Sequence, residues 1–515
     1  MKKIYLPIIA LLGLTQVKAQ EFNPNDAIRI GTPQINGSAR FNAMNGAFGA
    51  LGGDISSLQI NPAGSALFNY NHFSITGNVQ IQKNKSTFMG NTSEAKESNL
   101  EVPSFGAVFV IDSKNQDQSL KKITIGLGYH SNARFNDRYF SSGISNQSVT
   151  GYFLDHANYG FNGGSVPLDL VQTMENESIG DLYDHLNSIP NGFSAQQAML
   201  AYQGYLINDD NNGYVLNGSG SSFYQENETY ITGFNNQLTG NIGFDFNKKL
   251  YLGANLNLHF VDYMTSTAIY EENLTASDPA AYYPNGYKEL LFNNHTYTYG
   301  SGFSFSLGGI YKATEEFRIG ASYQSPTWMG LQDEFSQSLQ TNIIEDGRNR
   351  TYDVNPNLIT LYNKYNVKNP GSFTGSLAYV FGTNGLLSFD YTHKDYSAVE
   401  YGKGSAEFAP INNYYKDNLQ ATNEYRIGGE YRLNQISLRA GFRHVDSPYK
   451  NKDILGDVKS YSAGIGYSFG AARLDLGYML WKQDSEQNII SSGITPTAHI
   501  QSNNHNITLT YSASF

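Results

Sequence analysis

Residues 250–260 read Leu-Tyr-Leu-Gly-Ala-Asn-Leu-Asn-Leu-His-Phe. Leu250, Leu252, Ala254, Leu256, Leu258 and Phe260 fall on one side of the chain, and Asn255, Asn257 and His259 on the other. Successive side chains of a strand point to opposite faces, so this is extended backbone with one apolar and one polar face. Ile436, Leu438, Ala440 and Phe442 alternate in the same way with Ser437, Arg439, Gly441 and Arg443, and Leu474, Leu476, Tyr478 and Leu480 with Asp475, Gly477 and Met479. The pattern predicts fourteen strands, near 71–82, 104–111, 121–131, 237–246, 250–263, 298–311, 317–325, 372–381, 386–396, 423–433, 436–445, 459–469, 473–482 and 503–515. Many of the connections are tight (247–249, 313–316, 382–385, 434–435, 470–472). The others are long and polar (83–103, 132–236, 264–297, 326–371, 397–422, 446–458, 483–502). Short turns at one end and long loops at the other are the plan of a transmembrane antiparallel β-barrel. Strands of about 9–11 residues cross a bilayer when tilted, and closure lets every backbone group find a partner inside lipid. The expected fold is all-β: a barrel of about fourteen strands over residues 71–515, with long extracellular loops.

Composition agrees. The 515 residues include 38 Tyr, 30 Phe and 51 Gly, no Cys, and 15% charged residues, against about 25% in ordinary globular domains. A bundle of membrane-spanning helices needs runs of about 20 apolar residues, and the longest candidate, residues 4–14, is too short. That run follows Met1-Lys2-Lys3 and precedes Val17-Lys18-Ala19, the layout of a secretory signal peptide over residues 1–19. Its removal would take the net charge from −11 to −14, which argues against a nucleic-acid partner. Without Cys there is no disulfide framework and no thiolate chemistry. A secreted sandwich or propeller also alternates, but the loop asymmetry weighs against it. So does the ending Ile507, Leu509, Tyr511, Ala513, Phe515, a terminal strand of the kind that outer-membrane barrel-assembly machinery engages through its last Phe.

Two segments do not read as strand. Residues 20–70 are rich in small and apolar residues, with 46–54 reading Gly-Ala-Phe-Gly-Ala-Leu-Gly-Gly-Asp and 61–64 Asn-Pro-Ala-Gly, and are expected to pack in the lumen as a plug. Within the longest loop, 132–236, Ile179, Leu182, Tyr183 and Leu186 follow helical spacing. Ser194 and Gln197 suggest a capping box opening a second helix lined by Ala198, Tyr202, Tyr205 and Leu206. The two stripes either line an apolar lid over the barrel or pack on one another.

Together the plug residues Gly37-Ser38-Ala39-Arg40 to Asn61-Pro62-Ala63, the fourteen strands, and Tyr425-Arg426-Ile427-Gly428, Leu438-Arg439-Ala440-Gly441-Phe442 and Asp446-Ser447-Pro448 resemble the FadL/TodX-type outer-membrane transporters of long-chain fatty acids and aromatic hydrocarbons. The resemblance implies passive, porin-like lipid transport in the outer membrane of a Gram-negative bacterium. A hydrophobic ligand would be caught among the extracellular loops, pass a hatch formed by 20–70, and leave sideways into outer-membrane lipid through the barrel wall at the third strand. Carried over residue by residue, the substrate path takes in Asn61, Pro62 and Ala63 of the hatch and Gly126, Gly128 and His130 of the third strand. Taken as plain sequence, Asn61-Pro62 is also a turn signal, and Gly126 and Gly128 fit a bend or close packing. Two departures stand out. The largest insertion follows the third strand, and the alternation turns Asp390, Arg426, Glu430, Arg432, Arg439, Arg443 and Asp475 inward.

No His-Glu-x-x-His, Gly-x-Ser-x-Gly or phosphate-binding loop is present, and the ten His are dispersed, so neither a catalytic nor a metal site is expected and no cofactor is implied. Asn208 to Gly213 imitates the start of a calcium loop but places Ser219 where a bidentate Glu belongs, and reads as a polar turn. The competing function for the same fold is a docking or shuttle protein of a secretion system, with the long loops binding protein.

Overall fold

Strands whose two faces meet different media must pair their edges in lipid, and among the described residues every strand of the wall is paired with a neighbour on each side over at least part of its length. The computed structural model describes residues 24–114, 119–277, 285–490 and 496–515; the expected signal peptide lies outside the described residues. Fourteen antiparallel strands follow one another around a closed barrel: β1 (His72–Phe88), β2 (Asn91–Asp112), β3 (Leu120–Ser145), β4 (Phe223–Phe246), β5 (Leu250–Asn273), β6 (Gly286–Lys312), β7 (Phe317–Gln324), β8 (Ser372–Val380), β9 (Gly385–Asp395), β10 (Ala421–Leu433), β11 (Ile436–Val445), β12 (Val458–Ser468), β13 (Ala472–Asn488) and β14 (Thr497–Ser514). β14 pairs with β1 from His72↔Ser514 to Thr87↔His499, and the Phe515 amide donates to the Asn71 carbonyl at 3.0 Å. Beyond Ser325-Pro326 the chain resumes as Thr327–Glu345 and continues β7 along the upper part of β6. Leu256, Leu258, Phe303, Phe305, Ile427, Leu438 and Leu509 stand exposed on the outer face, while Asn255, Asn257, His259 and Thr508 are buried inside. This inverts a soluble core and matches the alternation.

The strands are longer than the apolar alternation predicts. Most of 83–103 is not a loop: β1 and β2 meet in a tight turn at Met89 and Gly90, both at positive φ. Much of 264–297 and 326–371, and the flanks of 132–236 and 483–502, are also strand. Above the membrane both faces of a strand meet polar surroundings, so the ladder continues after the apolar signal has ended. The rim is uneven as a result. β13, β14 and β1–β6, of 17–27 residues, stand together as a tall side, and β8–β12, of 9–13 residues, form a low one.

The tall side is filled by helices α3 (Thr150–Tyr159), α4 (Ile179–Asn187) and α5 (Gly192–Gln203). Tyr183, Leu186, Ala198 and Leu200 are buried against one another and against Phe88, Phe292 and Leu339 of the strands. The two stripes therefore pack together instead of lining an open lid. The capping box falls elsewhere than expected. It is Ser178 with Asp181, opening α4, whereas α5 begins at Gly192 behind Asn191 in the left-handed region. Gln197, already inside the helix, reaches across to Gln337 at 2.8 Å. Residues 208–213 form the end of one strand and the turn of a small hairpin, with Asn208 and Asp209 paired to Val215 and Tyr214.

Inside the barrel, residues 24–70 run as α1 (Pro24–Gly31), α2 (Ala39–Ala43) and two tight turns, Ile55–Gln59 and Pro62–Leu67. The wall meets this hatch with glycine. A Cβ on Gly441 would lie 2.5 Å from the Met44 carbonyl carbon, on Gly428 2.8 Å from the Met44 oxygen, and on Gly477 2.8 Å from the Ala39 oxygen; Gly253 and Gly320 face the hatch backbone at Pro62 and Gly49 at least as closely, and Gly308 lies against the Asn61 side chain. Gly441→Val should overpack this contact, at a cost of about 1–3 kcal/mol. The expected result is a lower midpoint for heat-modifiable migration, together with faster thiol labelling of an introduced Asn45→Cys, which would be the chain's sole cysteine.

Candidate functional site

The hatch is fastened by buried ions. Glu430 accepts from Arg40 of the hatch at 2.8 Å and from Arg439 at 2.7 Å, and Arg439 also reaches Asp475 at 2.8 Å. Asp390 accepts the Phe48 and Gly49 amides at 3.0 Å each, and Glu424 ties Arg426 to Arg443. Of the inward charges expected from the alternation, Asp390 and Glu430 dock the hatch directly, while Arg426, Arg432, Arg439, Arg443 and Asp475 pair with charged neighbours on the wall.

Above the hatch lies a cavity of about 1090 Å³. Its floor is Asp26, Arg29, Pro33 and Ile35 of the hatch, its roof includes Tyr152 of α3 and Phe193 of α5, and Phe135, Phe292 and Phe335 line its sides. The surface is mixed: beside the aromatic faces stand three arginines, Arg29, Arg134 and Arg443, and six carboxylates, Asp26, Asp137, Asp333, Asp446, Asp453 and Glu486. Arg29 lies 3.7 Å from Asp26, and Tyr263 donates to Asp26 at 3.1 Å. Burial pushes the Asp26 carboxyl up, with Arg29 and Tyr263 opposing. In the roof, His156 packs edge-on against Tyr152 and Phe193 and shares a 3.0 Å hydrogen bond with Ser194. Burial pushes its imidazole down to about 4, with Asp155 opposing.

Beside the cavity the wall is split. The β2–β3 ladder runs from Asp112↔Lys122 up to Ser104↔His130 and stops. β2 nevertheless continues to Asn91 against β1, and β3 to Ser145 against β4. The cause is local. Pro103, next above the last rung, has no N–H to donate, and β3 carries an irregularity between Ser131 and Ala133 that draws it toward β4. Higher up, the two sides touch again where the Asn91 side chain donates to the Ser142 carbonyl at 2.9 Å. The slot between has Leu100 and Val102, 77% and 49% exposed, on its outer lip. Behind it stands the hatch: the Gln34 amide donates to the Asn132 carbonyl at 2.7 Å, and the Asn36 side chain donates to Glu101 at 3.3 Å.

None of the six residues expected on the substrate path lines the cavity. Asn61 caps the Pro62–Leu67 turn and donates to the Gly49 and Gly309 carbonyls at 2.7 and 3.1 Å, while the Pro62 carbonyl accepts from Asn241 at 2.9 Å and Ala63 is buried against Tyr251 and Ile310. Their immediate job is docking. Gly126 and Gly128 sit in the closed ladder below the slot, where Gly126 faces Leu58 and Gly128 lets the His130 ring fold back over it. His130 alone stands at the slot, on its bottom rung, with Nδ1 3.1 Å from the Gln59 side chain. Residues 33–36, Glu101 and Pro103 went unremarked in the sequence. Pro103, at the end of an apparent loop, was the available signal.

A fourteen-strand barrel with a luminal hatch, a cavity above it and a slot beside its third strand defines a class of outer-membrane transport barrels. Residues 215–515 match the family described as outer membrane protein transport protein (OMPP1/FadL/TodX), and the chain belongs to it. Its fold is similar to that of a Pseudomonas aeruginosa FadL homologue (14% identity, 94% of this chain and all of that one, TM-score 0.55). It is likewise similar to that of the Pseudomonas putida toluene transporter TodX (16% identity, 94% of this chain and 99% of that one, TM-score 0.51). A comparison with curated protein sequences found no match.

Two outcomes test these interactions. Glu430→Gln leaves Arg40 and Arg439 without their shared carboxylate, and breaking a buried ion pair on one side costs about 3–5 kcal/mol. The migration midpoint should fall accordingly, and further than for Lys403→Gln on an exposed loop. A histidine whose folded value lies near 4 and whose unfolded value lies near 6.5 binds more protons when unfolded, so its contribution is present above 6.5 and lost as pH falls toward 4. The loss in midpoint between pH 7 and pH 4.5 should shrink in His156→Gln.

Proposed function

We infer that this chain carries out passive uptake of hydrophobic small molecules across the outer membrane of a Gram-negative bacterium. A signal peptide at 1–19 exports it, and barrel-assembly machinery engages it through Phe515. The ligand enters among the extracellular loops, rests in the cavity over the hatch, and leaves through the slot between β2 and β3 into lipid. One observation carries the reading: within residues 33–36, Pro33, Gln34 and Ile35 form part of the cavity floor while Gln34 and Asn36 back the slot. A small displacement of this segment would join the two spaces without opening a water-filled route to the periplasm. An apolar chain gains nothing from such a route, whereas entering lipid is worth about 0.8 kcal/mol per CH₂.

The cavity's chemistry favours a long-chain fatty acid. Aromatic side chains suit an acyl chain, and Arg134 offers charge to a carboxylate beside Arg29, which Asp26 already pairs. Aromatic hydrocarbons, named for TodX, would use the aromatic faces alone. Asn61, Pro62 and Ala63 act in this scheme by fixing the hatch, and His130 by setting the foot of the slot.

The test is uptake of labelled fatty acid by cells lacking their own transporter. A Pro103→Cys, Ser131→Cys pair bridged by a short thiol cross-linker should block uptake, and a cleavable linker should restore it on reduction. Uptake that persists with the bridge in place removes the slot from the route. No uptake by well-assembled wild type removes the transport reading and favours protein docking by the loops.

A further inference from the structure

The outer face carries a row of basic residues that transport does not use. Following the ladder from β11 to β2, directly opposed residues are His444↔Lys459, Lys459↔Lys482, Lys482↔Asn503, Asn503↔Lys83 and Lys83↔Lys96. Four lysines and one histidine thus occupy a single line across six neighbouring strands. All four lysines are exposed. Among the described residues none of the four has an ion-pair or hydrogen-bond partner. Only His444 has a carboxylate close by, Asp446 at 3.4 Å.

Like charges directly opposite one another on a sheet destabilise it, and here this occurs twice, at Lys459 with Lys482 and at Lys83 with Lys96. The nearby carboxylates do not relieve it. Asp484 and Glu94 stand two residues farther from the membrane on the same face, and Glu94 is opposed to Lys85. Toward the membrane, the next residues on that face are Tyr461, Leu480 and Ile81 below Lys459, Lys482 and Lys83; below Lys96 and Asn503 come Ser98 and His505, and the apolar side chains Leu100 and Ile507 follow one step further on. The row therefore sits where the apolar belt ends on the side of the long loops, which is the level of outer-leaflet headgroups. Two lysine pairs separated by the β14 strand are three strand spacings apart, about 14 Å at 4.7–4.9 Å each.

We propose that this row, Lys459 and Lys482 with Lys83 and Lys96, is a binding site for an outer-leaflet lipid whose headgroup carries two phosphates, one held by each lysine pair. The acyl chains lie along the belt below, and the phosphates relieve the repulsion within each pair. Asn503, between the pairs, offers an amide to the sugar that links them. Lipid bound here packs on β12–β14, β1 and β2, outside the transport cavity.

The test uses the purified full-length barrel in detergent, with lipid A, phosphatidylglycerol or inorganic phosphate added and bound ligand read by native mass spectrometry. Wild type should retain lipid A at moderate salt, and the combined Lys83→Gln, Lys96→Gln, Lys459→Gln, Lys482→Gln variant should bind it at least tenfold more weakly. The same four positions changed to Arg should restore binding, and Lys364→Gln with Lys403→Gln on distant loops should leave it unchanged. Heat-modifiable migration and fatty-acid uptake show that the variant is folded. Equal lipid A binding by wild type and the Gln variant overturns the site. Phosphatidylglycerol binding as tightly as lipid A overturns the two-phosphate geometry, and displacement of lipid A by equimolar inorganic phosphate overturns the requirement for a lipid. Wild type that imports fatty acid yet holds no lipid A sinks this inference alone.

Discussion

A peptide group enclosed in the lumen must be paired, because leaving it unpaired costs as much as a lost hydrogen bond. The wall has spent its own backbone groups on closure, so the hatch is served by side chains that project inward and by its own turns. Asn241 and Asn255 donate to the Pro62 and Leu58 carbonyls, Asp390 accepts two amides, and Thr510 accepts the Ala39 amide. Such bonds form only if the two backbones come close, and that closeness is set by the glycines opposite Ala39, Met44, Gly49, Asn61 and Pro62. The abundance of Gly and the inward Asn, Ser and Thr are therefore two halves of one device. The Arg40–Glu430–Arg439–Asp475 chain adds charge to the same contact.

The slot belongs to this logic as well. A ladder that ends in mid-wall exposes carbonyls and amides, and membrane proteins tolerate that only where protein or a lined cavity covers them. Residues 33–36 supply that cover: Gln34 takes up the Asn132 carbonyl with its amide, and its side chain accepts the Arg134 amide at 3.4 Å. Opening the slot means giving up a few hydrogen bonds held by one short segment, while the glycine-mediated contacts of the remaining hatch stay in place.

How much of this was legible in sequence follows from which signals are local. Strand number and order could be read because each crossing alternates with period two. Leu250 to Phe260 does so without a fault, and the tight turns at 247–249 and 434–435 mark one end of the barrel. The extramembrane ladders could not, because a strand such as Asn91–Asn99, polar on both faces, looks like a loop. The helices of the insertion were visible in their stripes, but Gln197 resembled a capping residue while serving as a bridge to Gln337. The hatch was legible from its small residues and from Asn61-Pro62-Ala63, which the structure places in contact with the wall. The slot was not. It depends on Pro103 and on an irregularity at Ser131–Ala133 meeting across two strands, a coincidence that no single stretch of sequence displays.

The seam between β1 and β14 joins residues more than four hundred positions apart, and the hatch is tethered immediately before β1. Until that seam zips, the chain is an open curl of hairpins, each formed from neighbours in sequence. Contacts of such long separation form late and slowly. A hatch seated within the curl before the last strand arrives meets the wall side-on, whereas a sealed cylinder of fourteen strands admits it only by one end.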